Sequence, residues 1–394
     1  MEAFKKDMLG IIGNAVNGTK YAVSEDFDWK KAYDLSIKHQ IISPVYYGAL
    51  ADSSFKKCAV FRAFADANVS CVGISERQIY IASELKKIFI ENGISFLPIK
   101  GIVLKKLYAY PEMRTMSDID VLIKPEEYDK IRVILKSAGY AEGIESDHEL
   151  HWKKDDVFIE LHKRLIPSYN EDYYDYYDDG WRVAKPAGGG EYCMSDEDFF
   201  IYIFTHFAKH YRDSGAGIKY VTDFYLYLKK HENLDFGYIN GELDKLGLSV
   251  FYKNVERMMR VWFDGAESDD VTEKLTDKIF SSGVYGDAAN VPLAEGLKIS
   301  KSHKNVKGHK FFTMLFPSLS SMKMIYPVLK KAPALLPVMY VARWFSALFN
   351  PKKIKKSVNN LKNYDDESVQ KYREELNFVG LDYNFNDKTE AEAK

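Results

Sequence analysis

Two acidic residues stand at the beginning of a short apolar run, residues 117–123 (SDIDVLI). A run of this length and composition predicts a buried β-strand. Residues i and i+2 of a strand point to the same face, so the carboxylates of Asp118 and Asp120 would lie roughly 6.5–7 Å apart along it. Such carboxylates repel each other unless a cation lies between them, and oxygen ligands of this kind suit Mg²⁺. The run therefore predicts a buried strand with a cation-binding acidic face; the alternative is a solvated strand end.

Two other Asp-x-Asp pairs in the chain have a simpler explanation. Asp26/Asp28 and Asp196/Asp198 stand where segments with helical periodicity begin. Acidic side chains at these positions cap a helix or interact favourably with its dipole. Among the three pairs, the one at 118 and 120 is therefore the candidate metal site.

A third carboxylate lies inside another apolar run, residues 157–162 (VFIELH). A charged group rarely enters such a strand unpaired, so Glu160 either pairs with a cation that follows it in the sequence or belongs to a site. Residues 148–154 and 157–163 together predict a hairpin. If this hairpin lies beside the strand of the first two acids, the three carboxylates converge. Two metal ions held there ~3.5–4 Å apart could activate a nucleophile and neutralise a triphosphate.

Residues 94–165 alternate between strand and helix signals, and the flanking regions are helical in pattern. A short apolar strand precedes Gly101, helix-forming residues follow it, and a second helix is predicted over 124–137. The predicted fold class is α+β, with a small mixed sheet embedded in helical N-terminal and C-terminal regions. Four domains are expected: a helical region 1–92, an α/β core 93–170, a helical domain 171–295, and a basic and apolar segment with an acidic tail, 296–394.

This pattern resembles the uncharacterised nucleotidyltransferase family, which belongs to the DNA-polymerase-β-like nucleotidyltransferase superfamily. The resemblance is tightest over about residues 94–165 and extends more weakly to both sides of that range. The set of Lys-Gly, Arg and Asp-x-Asp at this spacing is fairly specific. The matching segments are PIKGIVL at 98–104, Tyr108, Arg114, SDIDVLI at 117–123 and IELH at 159–162, with weaker matches at Trp29, His39, His206, His210 and Asp223.

The resemblance implies an enzyme with a polymerase-β-like core. Asp118, Asp120 and Glu160 would be the catalytic residues and the ligands of two Mg²⁺ ions. The implied reaction moves a nucleoside monophosphate from an NTP such as ATP to the hydroxyl of an unknown acceptor.

The resemblance also implies where the nucleotide would bind. Gly101 would lie at the strand-to-helix turn, where phosphates meet a helix N-terminus. The superfamily often has Gly-Ser at this turn, whereas this chain has Gly-Ile, so one hydroxyl donor is missing. This difference favours the alternative that the protein is a weakly active or inactive nucleotide-binding or regulatory protein. The implied nucleotide-binding residues are Lys100, Gly101, Arg114 and Ser117, although Lys100 could be a surface cation and Arg114 a loop salt bridge.

Several histidines stand near these motifs or match the family outside them. His206 and His210 are one helical turn apart, which is a zinc-like spacing, but no Glu follows the first of them and no third ligand is evident. The resemblance implies a substrate cleft instead; the alternative is buried histidines bonded to Asp223 or to backbone. The residues implied for this cleft are His162, His206, His210 and Asp223.

The charges of the chain are unevenly distributed. Residues 296–362 contain 14 Lys or Arg and no Asp or Glu, whereas residues 1–295 contain 37 basic and 48 acidic residues. The basic segment also contains a long apolar stretch broken by prolines, with Tyr340 and Trp344 at its end. It could pack on the acidic body, lie on an anionic membrane surface with these two aromatic rings at headgroup level, or bind nucleic acid. The absence of an apolar spanning run and of a signal-peptide pattern predicts a cytoplasmic protein, with peripheral membrane attachment as an option.

Overall fold

The computed structural model describes residues 1–146, 148–168, 170–300, 304–349, 355 and 361–381. The chain forms two compact units. The larger consists of residues 1–211 and 215–286, and the smaller of residues 212–214 and 287–394. The four domain boundaries expected from the sequence stay a prediction. Among the described residues, no helix is long and apolar enough to cross a membrane.

Thirteen helices begin within the described part of the larger unit. Two of them start at the Asp-x-Asp pairs: Asp28 accepts a hydrogen bond from the Lys31 backbone N–H, and the Asp198 N–H donates to the Ser195 hydroxyl. The capping interpretation of Asp28 is therefore confirmed. The helices are α1 Ala3–Asn17, α2 Trp29–His39, α3 Ile42–Ala49, α4 Ser53–Lys57, α5 Phe61–Glu91, α6 Gly101–Leu104, α7 Tyr128–Ser137, α8 Glu171–Tyr177, α9 Asp196–Asp213, α10 Ile218–Lys230, α11 Phe236–Lys245, α12 Ser249–Phe263 and α13 Asp270–Ser282.

A seven-stranded mixed sheet lies within the larger unit, in the order β3-β4-β5-β2-β1-β7-β6. Strands β2 and β5 are parallel neighbours, and β1 and β4 run antiparallel to them. The predicted α+β class with a mixed sheet is confirmed. The strands are β1 Phe96–Pro98, β2 Asp118–Ile123, β3 Ala141–Glu145, β4 Glu149–Lys154, β5 Val157–His162, β6 Lys185–Gly188 and β7 Glu191–Cys193.

The central strands separate an apolar face from a polar one. Because side chains alternate along a strand, every second residue of β2, β4 and β5 enters the core. This core also receives side chains from α5 and α7, which cover the same face of the sheet. The buried set includes Leu85, Phe89, Ile119, Val121, Ile131, Leu135, Trp152, Ile159 and Leu161. The acidic residues of the same strands consequently point away from the core.

The predicted hairpin is formed by β4 and β5, and its two-residue loop is Asp155-Asp156. Asp155 adopts φ 51°, a left-handed conformation that Asp tolerates better than most residues. Three strands were not expected from the sequence: β3, which is fully exposed, and β6 and β7, which lie in the region predicted to be helical. They are short and lack an apolar alternation, so they carry little local signal.

The smaller unit is helical in the part that the structure describes. Its core contains Leu297 and Val306 beside Val369, Tyr372 and Leu376, all of them buried. A Cβ atom at Gly296 would lie 2.6 Å from Val369 Cγ2, so a larger residue could not occupy that position without displacement. The helices are α14 Asn290–Ser300, α15 Val306–Leu315, α16 Leu319–Ile325, α17 Leu336–Leu348 and α18 Asp366–Phe378.

Candidate active site

The register between β2 and β5 brings the predicted carboxylates together. Asp120 lies directly opposite Glu160 in the parallel pair, so both side chains leave the sheet on the same face. One ligand atom from each of Asp120, Glu160 and His162 lies within 4.8 Å of the others. Asp118 is two residues earlier on that face, and its charge interacts with those of Asp120 and Glu160. The sheet thus presents three carboxylates and one imidazole in a small area.

Asp120 is the most buried of the three carboxylates. It accepts a hydrogen bond from Lys100 Nζ at 2.7 Å, and its Oδ1 lies 2.8 Å from His162 Nε2. Burial alone would raise the pKa of Asp120, but the ammonium of Lys100 and the hydrogen bond with His162 hold it well below its usual range. Asp120 is therefore a carboxylate at every physiological pH.

Lys100 reaches Asp120 from a strained turn. Its backbone has φ 53° and ψ −123°, a conformation that residues other than glycine rarely adopt. A side chain at the next residue, Gly101, would crowd Met116, because a Cβ there would lie 3.0 Å from the Cβ and Sδ atoms of Met116. The pKa of Lys100 is raised, since the attraction of Asp120 outweighs the cost of burial. The predicted contact of Lys100 and Gly101 with nucleotide stays a prediction.

The helix that follows this turn is shorter than expected. Helix-forming residues follow Gly101 as far as Tyr110 in the sequence, but α6 ends at Leu104 and continues only as a 3₁₀ turn over Lys105–Leu107. A single helical turn has a weak dipole and few aligned N–H groups. The expected phosphate-binding helix N-terminus is therefore poorly developed, and Lys100 is the stronger candidate for that task.

Burial and neighbouring negative charges destabilise the ionised forms of the other two carboxylates, Asp118 and Glu160. Burial and the charge of Asp120 raise the pKa of Asp118 to about 6. Burial and the charges of Asp118 and Asp120 raise the pKa of Glu160 to about 8. Lys100 compensates only part of this negative charge. A site with unneutralised carboxylates and oxygen donors suits a divalent cation such as Mg²⁺.

A fourth carboxylate on this face was not expected from the sequence. Glu149 of β4 lies beside the site and contacts His148 Nε2 at 3.0 Å and His151 Nε2 at 2.9 Å. Although burial opposes it, these two imidazoles lower the pKa of Glu149 to about 2. Glu149, His151 and Glu160 form a second group of close potential ligands. The alternation of Glu and His along both arms of the hairpin was the signal that could have revealed it.

Helix α9 carries a row of polar side chains one turn apart. His206 Nε2 lies 2.9 Å from His210 Nε2, and burial is the main reason that both pKa values fall well below the usual range. The Lys100 charge also acts on both imidazoles and on Tyr202. Within the described part of the chain, Tyr202 Oη and His206 Nδ1 are buried without a hydrogen-bond partner.

These contacts bear on the two explanations of the histidines. His206 and His210 bond to each other rather than to Asp223, and neither belongs to a group of three potential metal ligands among the described residues. A zinc site has no support here. Their placement in the substrate cleft, like that of His162, stays a prediction.

Arg114 and Asp223 form a buried ion pair. Arg114 Nε donates to both Asp223 oxygens at 2.7 and 2.8 Å, and Tyr108 Oη donates to Asp223 at 2.8 Å. The exposed fractions of the Arg114 and Asp223 side chains are 6% and 2%. This geometry is that of the structural salt bridge considered for Arg114, and it connects the loop before β2 to α10. The nucleotide-binding role of Arg114 and the cleft role of Asp223 stay predictions.

Two further polar residues lie near Asp118. Ser117 is exposed, and its hydroxyl lies 2.9 Å from Tyr285 Oη, so it is accessible for the nucleotide contact predicted for it. Lys219 of α10 is buried and donates to Gln40 Oε1 at 2.9 Å. Burial and the Arg114 charge hold the pKa of Lys219 well below its usual range, while Asp118 acts in the opposite direction. Sequence reasoning did not single out Lys219.

The raised pKa of Glu160 predicts how stability depends on pH. The folded protein holds a proton on Glu160 up to about pH 8, whereas the unfolded chain releases it near pH 4.5. Stability from this proton is present at low pH and is lost as the pH rises through 8. In EDTA, the free energy of unfolding of wild type, measured relative to that of Glu160→Gln by urea denaturation, should fall by about 1–2 kcal/mol between about pH 6.5 and 8.5.

The reference variant is Glu160→Gln, which cannot titrate at this position. The comparison with it is needed because the buried groups His206, His210 and Lys219, whose pKa values are lowered, raise the free energy of unfolding over the same pH range in both proteins. A difference between wild type and Glu160→Gln that stays constant or rises over this range would contradict the proposed crowding of carboxylates.

Comparison with known proteins identifies similar sequences and structures. The sequence model of a family described as uncharacterised nucleotidyltransferase matches residues 25–264, which is more than half of the chain. The chain is also similar to the antibiotic-resistance factor ANT(2'')-Ia, whose solution structure is described as revealing substrate-regulated conformation dynamics. The identity is 13%, the TM-score is 0.32, and the similarity covers 45% of this chain and 92% of that one. No curated protein matches the chain by sequence.

Proposed function

The chain belongs to the uncharacterised nucleotidyltransferase family, and from that premise we propose an Mg²⁺-dependent transfer of a nucleoside monophosphate from an NTP to an acceptor hydroxyl. The observation that carries this proposal is the register that places Asp120 opposite Glu160, with Asp118 on the same face. In this reaction the acceptor oxygen forms a bond to the α-phosphorus, the bond to the β-phosphate breaks, and pyrophosphate leaves.

The donor set fits divalent cations. Asp118, Asp120 and Glu160 would hold Mg²⁺, and two ions are consistent with three carboxylates that lack sufficient neutralisation. Bound Mg²⁺ would neutralise the triphosphate and make the acceptor hydroxyl more acidic. Asp118 and Glu160 are the two carboxylates of this set whose pKa values are raised. A raised pKa supports the exchange of a proton for a metal ion at these two side chains.

The protein groups around the carboxylates would position the substrates and neutralise their negative charge. Lys100 and His162 hold Asp120 ionised and in a fixed orientation. Glu160 is the candidate group for orienting the acceptor hydroxyl and accepting its proton, since bound Mg²⁺ would keep this carboxylate ionised. Lys100 and the accessible Ser117 are the candidate contacts for phosphate oxygens. Catalysis of this kind depends mainly on positioning and charge neutralisation.

A second candidate is a nucleotide-binding regulatory protein with little or no turnover. It is favoured by the turn after β1, where Ile102 packs against the hydrophobic core and leaves the position without a hydroxyl. Lys100 is also already engaged by Asp120 at 2.7 Å. The complete carboxylate set favours the enzyme, because a protein without turnover has no need of three mutually repelling acids.

Transfer of label tests the proposal. Protein is incubated with each NTP labelled at the α-phosphate, Mg²⁺ and a host-cell extract. We expect wild type to label an extract component and Asp118→Asn/Asp120→Asn to label none. The control Asp26→Asn/Asp28→Asn changes the same charge at the same spacing, where Asn still caps α2, and should transfer like wild type.

The other outcomes separate the candidates. Transfer by the Asp118→Asn/Asp120→Asn variant would refute the carboxylate mechanism. No transfer by wild type, with NTP binding intact by calorimetry, would favour the regulatory protein. The labelled component would identify the chemical class of the acceptor.

A further inference from the structure

The smaller unit exposes an unusual amount of apolar surface. In the described part of residues 311–349, ten large apolar side chains are more than a third exposed. We call this set the apolar face. Its members are Phe311 (49%), Phe312 (58%), Phe316 (37%), Ile325 (54%), Val328 (46%), Leu335 (39%), Val338 (57%), Val341 (45%), Phe345 (60%) and Phe349 (87%). Extensive exposed apolar surface of this kind marks regions that bind a partner or a membrane.

On helix α17 the exposed apolar residues lie on one side of the helix. Val338, Val341 and Phe345 are spaced by three and four residues, and Phe349 continues the spacing directly after the helix, so the four lie on one outward side. The helix carries its larger aromatic residues on the opposite side, which packs against α15. The four exposed residues therefore form a second apolar side of a helix whose first side already packs against α15.

The inward side of α17 is fixed by hydrogen bonds. Tyr340 Oη donates to the Pro317 carbonyl at 2.6 Å, and Trp344 Nε1 donates to the Leu315 carbonyl at 2.9 Å. Both rings also pack against Phe316. Tyr340 and Trp344 thus hold the helices together, and their place at headgroup level stays a prediction. The outward residues are Val338, Val341, Phe345 and Phe349.

The charge of this region restricts the partner. Residues 296–362 have 14 Lys or Arg and no acidic residue, and Lys307, Lys330 and Lys331 are exposed on the same stretch of chain as the apolar face. A second copy of the same face would bring these cations together, which disfavours a homodimer. Nucleic acid would match the charge and could stack on the five exposed phenylalanines, but it offers no apolar environment for the five exposed aliphatic side chains. An anionic lipid surface matches both the charge and the exposed aliphatic side chains.

We propose that the apolar face docks on an anionic membrane surface, with α17 lying in the plane of the interface. Its outward side chains enter the boundary between headgroups and acyl chains, while the surrounding lysines contact the lipid phosphates. No described helix could span a bilayer, which is consistent with a helix that lies on the membrane. This inference goes beyond nucleotidyl transfer and does not depend on it.

Sedimentation with vesicles tests the proposal on the full chain. We expect the protein to bind vesicles of phosphatidylcholine mixed with phosphatidylglycerol, and to bind pure phosphatidylcholine vesicles much more weakly. Phe345→Glu/Phe349→Glu should reduce binding to the mixed vesicles about tenfold or more, since it replaces two inserted rings by charges. Raising the salt concentration should also weaken binding.

A matched control uses exposed phenylalanines elsewhere. Phe236→Glu/Phe378→Glu changes residues that are 42% and 51% exposed outside the apolar face, and it should bind vesicles like wild type. Equal far-ultraviolet circular dichroism of the two double variants excludes unfolding as the cause. Absence of binding to the mixed vesicles would overturn the proposal, as would equal binding by Phe345→Glu/Phe349→Glu. The proposal would also be overturned if the protein did not bind vesicles but formed a dimer, or a complex with single-stranded RNA, that Phe345→Glu/Phe349→Glu abolished.

Discussion

Asp120→Asn should reduce nucleotidyl transfer by at least about a thousandfold, because it removes the central charge of the carboxylate cluster. Asp120 is the one carboxylate that is held ionised by Lys100 and His162. An amide keeps the shape of the side chain but binds a divalent cation weakly, and it leaves the Lys100 ammonium, 2.7 Å from Asp120 in wild type, without a counter-charge. The measurement is the rate of label transfer to the host-cell extract at saturating Mg²⁺.

The control for this variant is Asp129→Asn. The Asp129 side chain is 98% exposed on α7, in the same compact unit, so its loss should leave the transfer rate unchanged. Circular dichroism and a retained urea transition would show that Asp120→Asn is folded. Transfer within tenfold of wild type by a folded Asp120→Asn protein would refute the assignment of Asp120 as a metal ligand.

Asp223→Ala should lower the free energy of unfolding by about 3–5 kcal/mol, because it leaves the Arg114 guanidinium buried without a counter-charge. The pair is almost completely buried, and Tyr108 also loses its acceptor. Urea denaturation at neutral pH measures the effect. A decrease of this size in the free energy of unfolding would identify the Arg114–Asp223 pair as a structural connection between the loop before β2 and α10.

A surface ion pair provides the comparison for this variant. Lys5 Nζ lies 2.6 Å from Asp277, whose side chain is 62% exposed. Asp277→Ala should change the free energy of unfolding by less than about 1 kcal/mol, because solvent screens the pair. If Asp223→Ala were as mild as Asp277→Ala but abolished nucleotide binding, Asp223 would belong to the substrate cleft, as the family resemblance implies.

The helical and strand patterns could be predicted where local periodicity was strong. The Asp-x-Asp strand, the hairpin over residues 149–162 and the capping role of Asp28 follow from spacing alone, and the structure contains them. Strands β6 and β7 could not be predicted. Strand β7 pairs with β1, which lies about 90 residues earlier in the chain, and the edge strand β6 pairs with β7. Pairing of β7 at such distance has no local signature, and β6 depends on β7.

The candidate site likewise has features that the sequence predicts and features that it does not. The sequence by itself determined which residues share a face, because side chains alternate with a period of two along β2 and β5. It therefore placed Asp118 with Asp120, and Glu160 with His162. The functional family could also be inferred from these motifs, and the family match over residues 25–264 confirms it.

Only the tertiary structure decided how these faces combine. The register of β2 against β5 places Asp120 opposite Glu160, and a shift by one residue would turn one set of side chains into the core. The ion pair of Lys100 with Asp120 joins residues that are 20 positions apart. The ion pair of Arg114 with Asp223 joins residues that are 109 positions apart. Such contacts depend on how separately formed elements pack, and local sequence does not encode the distance between them.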